Sequence, residues 1–333
     1  MLRWFNKLAK RGAGPSDRPP APTPSEAVDR LLTPPPNPPL SSLTDAEIRA
    51  RLNDYRWYHR IAITQETSTT AWGEVERTHP PVLRLMSKVD FRGKRVVDIG
   101  CRDGLFSFEA ERRGASEVMA IDTSLSLGAV ELLIPFFKSR VQMREMSLFD
   151  LRPEQHGVFD IVLFPGVLYH LRYPFNAFKT LCDLLPDGGR MIVETVIFAD
   201  DDQRALLFCP LKKDHPWKRS SVTLYNRKGL IDSLTTFGLR TDETDWISEK
   251  DRRRSDGSLI RGAFLCTKDS ALAAEFPHHR WDGGFHKTWQ KTREHSAEPT
   301  PSAESSLRDE SAAARGGERS IQAHRLICAL RAS

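Results

Sequence analysis

An acid and two glycines at fixed spacing stand where an apolar stretch of strand length ends. The stretch is VVDIGCRDG, residues 96–104, in which Asp98, Gly100 and Gly104 form the pattern acid-x-Gly-x3-Gly. A dinucleotide-binding loop needs glycines at positions i, i+2 and i+5, and counted from Gly100 only the first is a glycine here. A Walker loop is excluded because no Gly-Lys-Ser/Thr follows. The pattern therefore predicts a nucleoside-type ligand without a diphosphate.

S-adenosylmethionine is a ligand of that kind, and its methionine end carries an ammonium and a sulfonium. The carboxylate of Asp98 complements this positive charge and would repel phosphates. Gly100 lets the backbone approach the ligand, and Gly104 lets the next helix begin close to the strand. We count Cys101 of the same turn among the cofactor-binding residues. Arg102 is expected to point out of the turn without blocking it.

Two further acids follow the next predicted strands. Asp122 ends the stretch EVMAID, where an acid accepts both ribose hydroxyls in other doubly wound nucleotide sites. Capping the following helix is the alternative role for Asp122. Asp150, in SLFDLRP, is our candidate for the acid that accepts from the adenine amino group. A role as a turn acid that caps the next loop is equally open for Asp150.

A histidine that could move a proton follows the fourth predicted strand, in the stretch GVLYHLRYP. His170 titrates in the range needed to deprotonate a hydroxyl or an amine during an in-line methyl displacement. A structural hydrogen bond from His170 to a backbone carbonyl is the alternative. The cysteines form no zinc-binding pattern, and His278, His279 and His286 lack ligand spacing, so we assign no metal.

The elements that must position these residues alternate along the chain. Both faces of the predicted strands are apolar, which predicts an α/β fold with a doubly wound, Rossmann-like, mostly parallel sheet of seven strands. A turn-rich connection between the last two strand candidates predicts an antiparallel edge strand. The strand candidates are residues 95–99, 117–121, 141–146, 159–164, 190–197, 239–246 and 259–267, and the helix candidates are 104–113, 124–138, 174–185 and 227–237.

Extensions flank the predicted domain, which we place at residues 93–268. Residues 1–43 hold ten of the 22 prolines and are expected to be disordered. Residues 44–92 are a helical lead-in whose start, Thr44-Asp45-Ala46-Glu47, is typical of a capped helix. Residues 269–333 are an extension that ends in a mostly disordered tail, rich in Ser, Ala, Glu and Arg.

The composition limits the compartment and the partners. The net charge of +5 permits an anionic partner but does not require one. The five cysteines show no paired spacing, which is typical of a reducing compartment, and we expect a cytoplasmic protein without a membrane span. The sequence indicates no oligomeric state.

Together these residues resemble class I S-adenosylmethionine-dependent methyltransferases over residues 93–267. The shared stretches are VVDIGCRDG, AIDTS, FDIVLFPGVLYHL and LLPDGGRMIVET. Through GVLYH, FSFEAERRGA and WYHRIAI, the chain resembles more closely the branch that contains the bacterial tRNA wobble-uridine 5-carboxymethyl transferase. The resemblance implies that Tyr169 lies near the transferred group, so the predicted catalytic residues are His170 and Tyr169, and Tyr169 is also a predicted cofactor residue.

The resemblance is compatible with two reactions, methyl transfer and carboxymethyl transfer. In the tRNA enzyme the cofactor is carboxy-S-adenosylmethionine, whose additional carboxylate is held by lysines and a tryptophan. The stretch TSTTAWGEVERTHPPVLRLMSKVD contains Trp72 with no lysine beside it. We therefore expect methyl transfer from S-adenosylmethionine to an oxygen of a small molecule or glycan. The alternative is methyl or carboxymethyl transfer to a tRNA uridine, with KKDHPWKR and EKDRRRSD as phosphate contacts.

Overall fold

The computed structural model describes residues 43–73, 75–200, 203–211 and 222–276. Most of the proline-rich segment, the C-terminal tail, the stretch KKDHPWKR and the histidines His278, His279 and His286 lie outside these ranges. The expectations for those segments stay predictions. Within the described residues, no helix is both long and apolar enough to cross a membrane.

Strands and helices alternate as the sequence predicts. The strands are β1 (Arg95–Ile99), β2 (Glu117–Asp122), β3 (Gln142–Glu145), β4 (Ile161–Pro165), β5 (Arg190–Phe198), β6 (Leu207–Phe208), β7 (Leu224–Asn226), β8 (Leu239–Trp246) and β9 (Leu259–Lys268). The helices are α1 (Asp45–Leu52), α2 (His79–Met86), α3 (Leu105–Arg112), α4 (Ile134–Phe137), α5 (Pro153–His156), α6 (Pro174–Asp183), α7 (Arg227–Thr236), α8 (Glu249–Arg252) and α9 (Ser270–Ala274).

The predicted helix at 124–138 is shorter than expected. A π-helical turn at Ala129–Leu133 leads into α4. Pro135 has no amide hydrogen to donate, which prevents a regular α-helical bond at that position. The residues just after Asp122 form a turn instead of helix, because the Asp122 carboxylate accepts from the Ser124 amide at 3.1 Å.

The strands form one mixed sheet in the order β3-β2-β1-β4-β5, all parallel. Strand β9 pairs antiparallel with β5 and β8, so the antiparallel strand lies one position in from the edge. Beyond the end of β4, the short strands β7 and β6 extend the sheet to nine strands. The Rossmann-like, mostly parallel sheet is confirmed, and β6 and β7 are additions to the seven predicted strands. Strand order reverses between β1 and β4, where such sheets bind ligands.

Helices cover both faces of the sheet. Val97 of β1 belongs to one apolar cluster together with Leu181 of α6, and the neighbouring Val96 belongs to another together with Leu85 of α2. Burying each such side chain stabilises the fold by about 1.5–3 kcal/mol. These two clusters hold the ends of the strands in fixed positions.

The lead-in contains two helices, and the second is attached to the sheet. Thr44 and Glu47 form a capping box at the start of α1, on the predicted helix start. Arg84 of α2 contacts Asp245 of β8 through two hydrogen bonds, with an Nε–Oδ2 distance of 2.6 Å. Between the two helices, the amides of Tyr58 and His59 donate to Asp103 of the turn after β1, which places this stretch at the carboxyl end of the sheet. The boundary proposed at residue 93 stays a prediction.

Candidate active site

A cavity of about 390 Å³ opens at the carboxyl ends of the central strands. Gly100 after β1, Asp122 at the end of β2 and Gly166 after β4 form part of its wall, and Glu194 and Arg261 complete the side towards β5 and β9. Residues of the lead-in cover it. The volume is in the range of pockets that bind small-molecule ligands.

The turn after β1 is attached to the neighbouring strand. The amides of Gly100 and Cys101 both donate to the carbonyl of Ile121, at 2.8 and 3.0 Å. Gly100 has a φ of +72°, and a Cβ there would overlap the Cγ2 of Val167. Only glycine fits this close approach of two loops without strain.

Asp122 faces the cavity while it also holds the turn. Its Oδ2 accepts from the Arg102 amide at 3.1 Å, and its Oδ1 accepts from the Ser124 amide. Both contacts lie within turns, and no helix begins at Asp122, so the alternative role of capping the following helix is not observed. A carboxylate has about four acceptor positions, so ligand hydroxyls can still bind to Asp122 from the cavity.

Asp98 lies beneath the turn and not on the cavity wall. It is fully buried, its Oδ2 accepts from the Ser107 hydroxyl at 2.6 Å, and its Oδ1 has no partner among the described residues. Burial raises the pKa of Asp98 to about 7, and the charge of Asp122 adds to the increase. A cation bound above the turn would favour the ionised form of this carboxyl.

Three other predicted cofactor residues do not lie on the wall. Gly104, with a φ of +82°, packs against Met143 of β3. Cys101 is buried, and burial raises the pKa of its thiol well above the usual value. Asp150 is exposed at the end of a 3-10 turn, whereas Phe149 before it faces the cavity. Their roles in binding the cofactor stay predictions.

The two predicted catalytic residues differ in position. His170 lines the cavity, whereas Tyr169 is buried behind it, with the ring centroids 4.0 Å apart. Burial of the ring, together with the cations Arg261 and Arg102, lowers the pKa of His170 to about 4. The imidazole of His170 is therefore neutral at pH 7 and has a nitrogen lone pair.

An ion pair between buried Glu194 and partly buried Arg261, absent from the predicted site residues, closes the far side of the cavity. The guanidinium of Arg261 contacts Glu194 at Nε–Oε1 and Nη2–Oε2 distances of 2.7 and 2.8 Å. Its Nη1 donates to the Tyr169 hydroxyl at 3.3 Å. Burial disfavours the charge of Arg261, but Glu194 offsets this and raises its pKa. The sequence feature that could have indicated this pair is one charged residue inside each of two apolar strands, MIVETVIF and LIRGAFLC.

Two buried histidines of the lead-in complete the wall beside Phe106. The rings of His59 and His79 are 5.1 Å apart between centroids. Burial lowers the pKa of His59 to about 3 and that of His79 to about 4. Both rings are therefore uncharged at neutral pH.

The expected direction of the Arg102 side chain was wrong. Its side chain does not point out of the turn, but lies over the Tyr58 ring at 5.1 Å and lines the cavity. A φ of +49° at Arg102 and the nearby lead-in direct the side chain there.

The residues in and beneath the cavity wall fit the predicted cofactor in charge and in shape. Asp98 and Asp122 place one carboxylate at each of two adjacent strand ends, and a buried Oδ1 of Asp98 lacks a partner. Gly100 leaves no room for a side chain between the turn and the next loop. Two carboxylates suit a cationic nucleoside and oppose a diphosphate. Fold and site together match what is expected of the class I S-adenosylmethionine-dependent methyltransferases that the sequence resembles.

Comparison with known proteins shows the family. A family model described as a methyltransferase domain matches residues 72–244, and the chain belongs to that family. The match begins in the lead-in and ends in β8. The predicted class of enzyme and its cofactor, S-adenosylmethionine, are confirmed.

Curated relatives match part of the chain. The tRNA U34 carboxymethyltransferase of Pseudomonas aeruginosa (strain LESB58) is 31% identical over 130 residues, which cover 37% of this chain and 39% of that protein. The enzyme of the same name from Helicobacter acinonychis is 28% identical over 124 residues, or 36% and 47% of the two chains. The chain thus spans less than half the length of these relatives, and the predicted relationship to their branch is confirmed.

Solved structures show the same fold. The N-terminal domain of EvdMO1 with S-adenosylhomocysteine bound has a TM-score of 0.52 and 16% identity, and the match covers 68% of this chain and 98% of that one. The same domain in the presence of S-adenosylhomocysteine and D-fucose has a TM-score of 0.51 and 17% identity, over 68% and 97%.

Proposed function

We propose that this chain transfers the methyl group of S-adenosylmethionine to an oxygen atom of a small-molecule or glycan acceptor. The observation that carries the proposal is the Glu194–Arg261 pair in the cavity wall. It offers both hydrogen-bond acceptors and donors, but the two charges balance. Such a surface suits a neutral, hydroxyl-bearing acceptor better than a polyanion.

The proposed cofactor position covers the ends of β1, β2 and β3. Asp122 accepts from the ribose hydroxyls, and the backbone at Gly100 contacts the methionine part. Asp98 supplies negative charge from beneath the turn. Phe149 and its neighbours before Asp150 face the adenine. Cys101 and Gly104 then act by shaping the turn, since neither lies on the wall.

The proposed chemistry needs one proton to move. When bound, the cofactor supplies a methyl group on a positively charged sulfur. The neutral imidazole of His170 accepts the proton of the acceptor hydroxyl through its unprotonated nitrogen. A pKa near 4 makes His170 a weak base, so its main contribution is to orient the hydroxyl and take the proton late in the transfer. Tyr169 fixes the adjacent ring of His170 and contacts Arg261.

Sugar hydroxyls are the acceptor class that we favour. The EvdMO1 domain, crystallised in the presence of D-fucose, supports this choice through a shared fold alone. The wall beside Phe106 also includes uncharged rings, those of His59 and His79. Neutral polar groups beside a balanced ion pair are suited to several hydroxyls at once.

Transfer to a tRNA uridine is the second candidate, favoured by the 31% identity to tRNA U34 carboxymethyltransferase. One of its predicted phosphate contacts is weakened by the structure. In EKDRRRSD, Arg252 and Arg253 pair with Glu249, and Arg254 pairs with Asp251 and Asp256. These arginines have less net charge to offer to phosphates. For carboxymethyl transfer, the charge of Arg261 is likewise already balanced by Glu194.

Labelled transfer tests the proposal directly. Protein incubated with methyl-labelled S-adenosylmethionine and fractionated cell extract should label a small, neutral, hydroxyl-bearing fraction, sensitive to glycosidase treatment for a glycan. At a cofactor concentration below saturation, the Asp122→Ala variant should strongly reduce the label, and the exposed Arg92→Ala variant should retain it. Label that appears in the tRNA fraction, with binding that weakens steeply as salt increases, would refute the small-molecule proposal.

A further inference from the structure

We infer that Arg102 binds the amino-acid carboxylate of the cofactor, at a subsite made by the turn after β1 and Tyr58. This inference rests on the proposed cofactor position. It assigns a binding role to a residue that breaks the glycine pattern of the turn.

The backbone at Arg102 is held in an unfavourable conformation. Its φ is +49°, one of two positive φ values at non-glycine residues in the described chain. Such a conformation costs about 1–3 kcal/mol, and a glycine would avoid the cost. The amide of Arg102 is fixed by Asp122 at 3.1 Å. Strain at one position of a ligand-binding turn indicates that the side chain itself is needed there.

The guanidinium of Arg102 is held at the cavity without a counter-charge. It lies over the Tyr58 ring at 5.1 Å and remains exposed to solvent. Within the described ranges, no carboxylate lies within ion-pair distance of it, whereas the other arginine of the wall, Arg261, is paired with Glu194. A cation over an aromatic ring at a cavity mouth is ready to receive an anion.

Tyr58 is tied to the same turn, so the two sides of the subsite are fixed relative to each other. The carboxylate of Asp103, next to Arg102, accepts from the backbone amides of Tyr58 and His59, the second at 2.7 Å. The ring that supports the guanidinium is therefore positioned by the residue beside it. Such preorganisation reduces the entropy lost when a ligand binds.

The cofactor has one group that matches this subsite. Its sulfonium and ammonium are positive and suit the negative charge of Asp98, its ribose hydroxyls suit Asp122, and its carboxylate is its single negative group. A guanidinium binds a carboxylate through two parallel hydrogen bonds. The unpaired charge of Arg102 and the carboxylate thus complete the charge pattern of the turn.

The test compares two ligands that differ by the carboxylate alone. Calorimetric titration would use S-adenosylhomocysteine and its decarboxylated analogue, which keeps the ammonium. Arg102→Ala should weaken binding of S-adenosylhomocysteine by about 10- to 100-fold and change binding of the analogue less than about twofold. For Arg102→Lys, the loss of S-adenosylhomocysteine affinity should lie between those two values, since lysine keeps the charge but cannot form two parallel hydrogen bonds to the carboxylate. Arg92→Ala, an exposed arginine outside the cavity wall, is the matched control.

Three outcomes would overturn the inference. An equal loss for both ligands would mean that Arg102 shapes the turn, and Arg102→Gly, which relieves the positive φ, should then restore both affinities. Unchanged affinity for both ligands would mean that the guanidinium contacts neither. Wild-type protein that binds neither ligand would overturn the cofactor position itself, which is a different result from a variant that loses only the carboxylate contact.

Discussion

Replacing Asp98 by asparagine should make the protein more stable, and increasingly so as the pH rises. Asp98 is fully buried, and burial raises its pKa from an ordinary 3.9 to about 7. The folded protein therefore holds this proton more tightly than the unfolded chain does. As the pH rises from about 4 to about 7, the unfolded chain loses the proton first, so the contribution of Asp98 to stability decreases.

The size of the effect follows from the two pKa values. Each pH unit between them is worth about 1.4 kcal/mol, so ionised Asp98 destabilises the fold by about 4 kcal/mol at pH 8. At pH 5 the same linkage gives about 1.5 kcal/mol. Asparagine has the same shape and does not ionise. The difference in unfolding free energy between Asp98→Asn and wild type should therefore grow by about 2.5 kcal/mol between pH 5 and pH 8.

Urea unfolding of both proteins at pH 5 and pH 8 measures this difference. The buried histidines also titrate on unfolding, since their pKa values are lowered, but they are present in both proteins and cancel in the comparison. The reasoning is refuted if the two proteins show parallel stability against pH. It is also refuted if the gap narrows as the pH rises.

Three further changes have defined outcomes. Asp122→Ala should weaken S-adenosylhomocysteine binding about 10- to 100-fold in calorimetry, and unchanged affinity would remove Asp122 from the cofactor site. Glu194→Ala should lower the unfolding free energy by up to about 3–5 kcal/mol in urea, since it leaves the partly buried Arg261 charge without its carboxylate; a loss below about 1 kcal/mol would mean that water replaces the carboxylate. Gly100→Ala should lower the melting temperature by several degrees, because of its positive φ and the overlap with Val167. Adding Val167→Ala should recover part of that loss, and no recovery would mean that the overlap is unimportant.

The sequence predicts the parts of the fold that depend on local pattern. Strand β1 falls on the predicted residues 95–99 because its apolar run is bounded by charged and glycine residues. Strands β6 and β7 have two and three residues, too few for a periodic signal. From the sequence alone, the segment between β5 and α7 that contains these two strands is therefore interpreted as a loop.

The site is less predictable, because its members meet through pairing far along the chain. Glu194 and Arg261 are 67 residues apart, and the antiparallel pairing of β5 with β9 brings them together. The direction of Arg102 depends on Tyr58, which reaches the turn through Asp103. Spacing near the glycines identifies Gly100 and Asp122 on the wall, but it does not specify which side chains a distant segment places above them.

Several unfavourable features are concentrated in this one turn. Asp98 is a buried acid with an unpartnered oxygen, Arg102 has a positive φ without being glycine, and its charge lacks a counter-ion in the described chain. The buried acid and the positive φ lower the stability of the ligand-free fold, whereas the exposed guanidinium of Arg102 is solvated. A zwitterionic ligand that carries an extra positive charge complements both side chains, because its cations favour ionised Asp98 and its carboxylate pairs with Arg102. Residues that break the usual local preferences, but that a single ligand can complement, are expected at a binding site. The turn after β1 contains such residues.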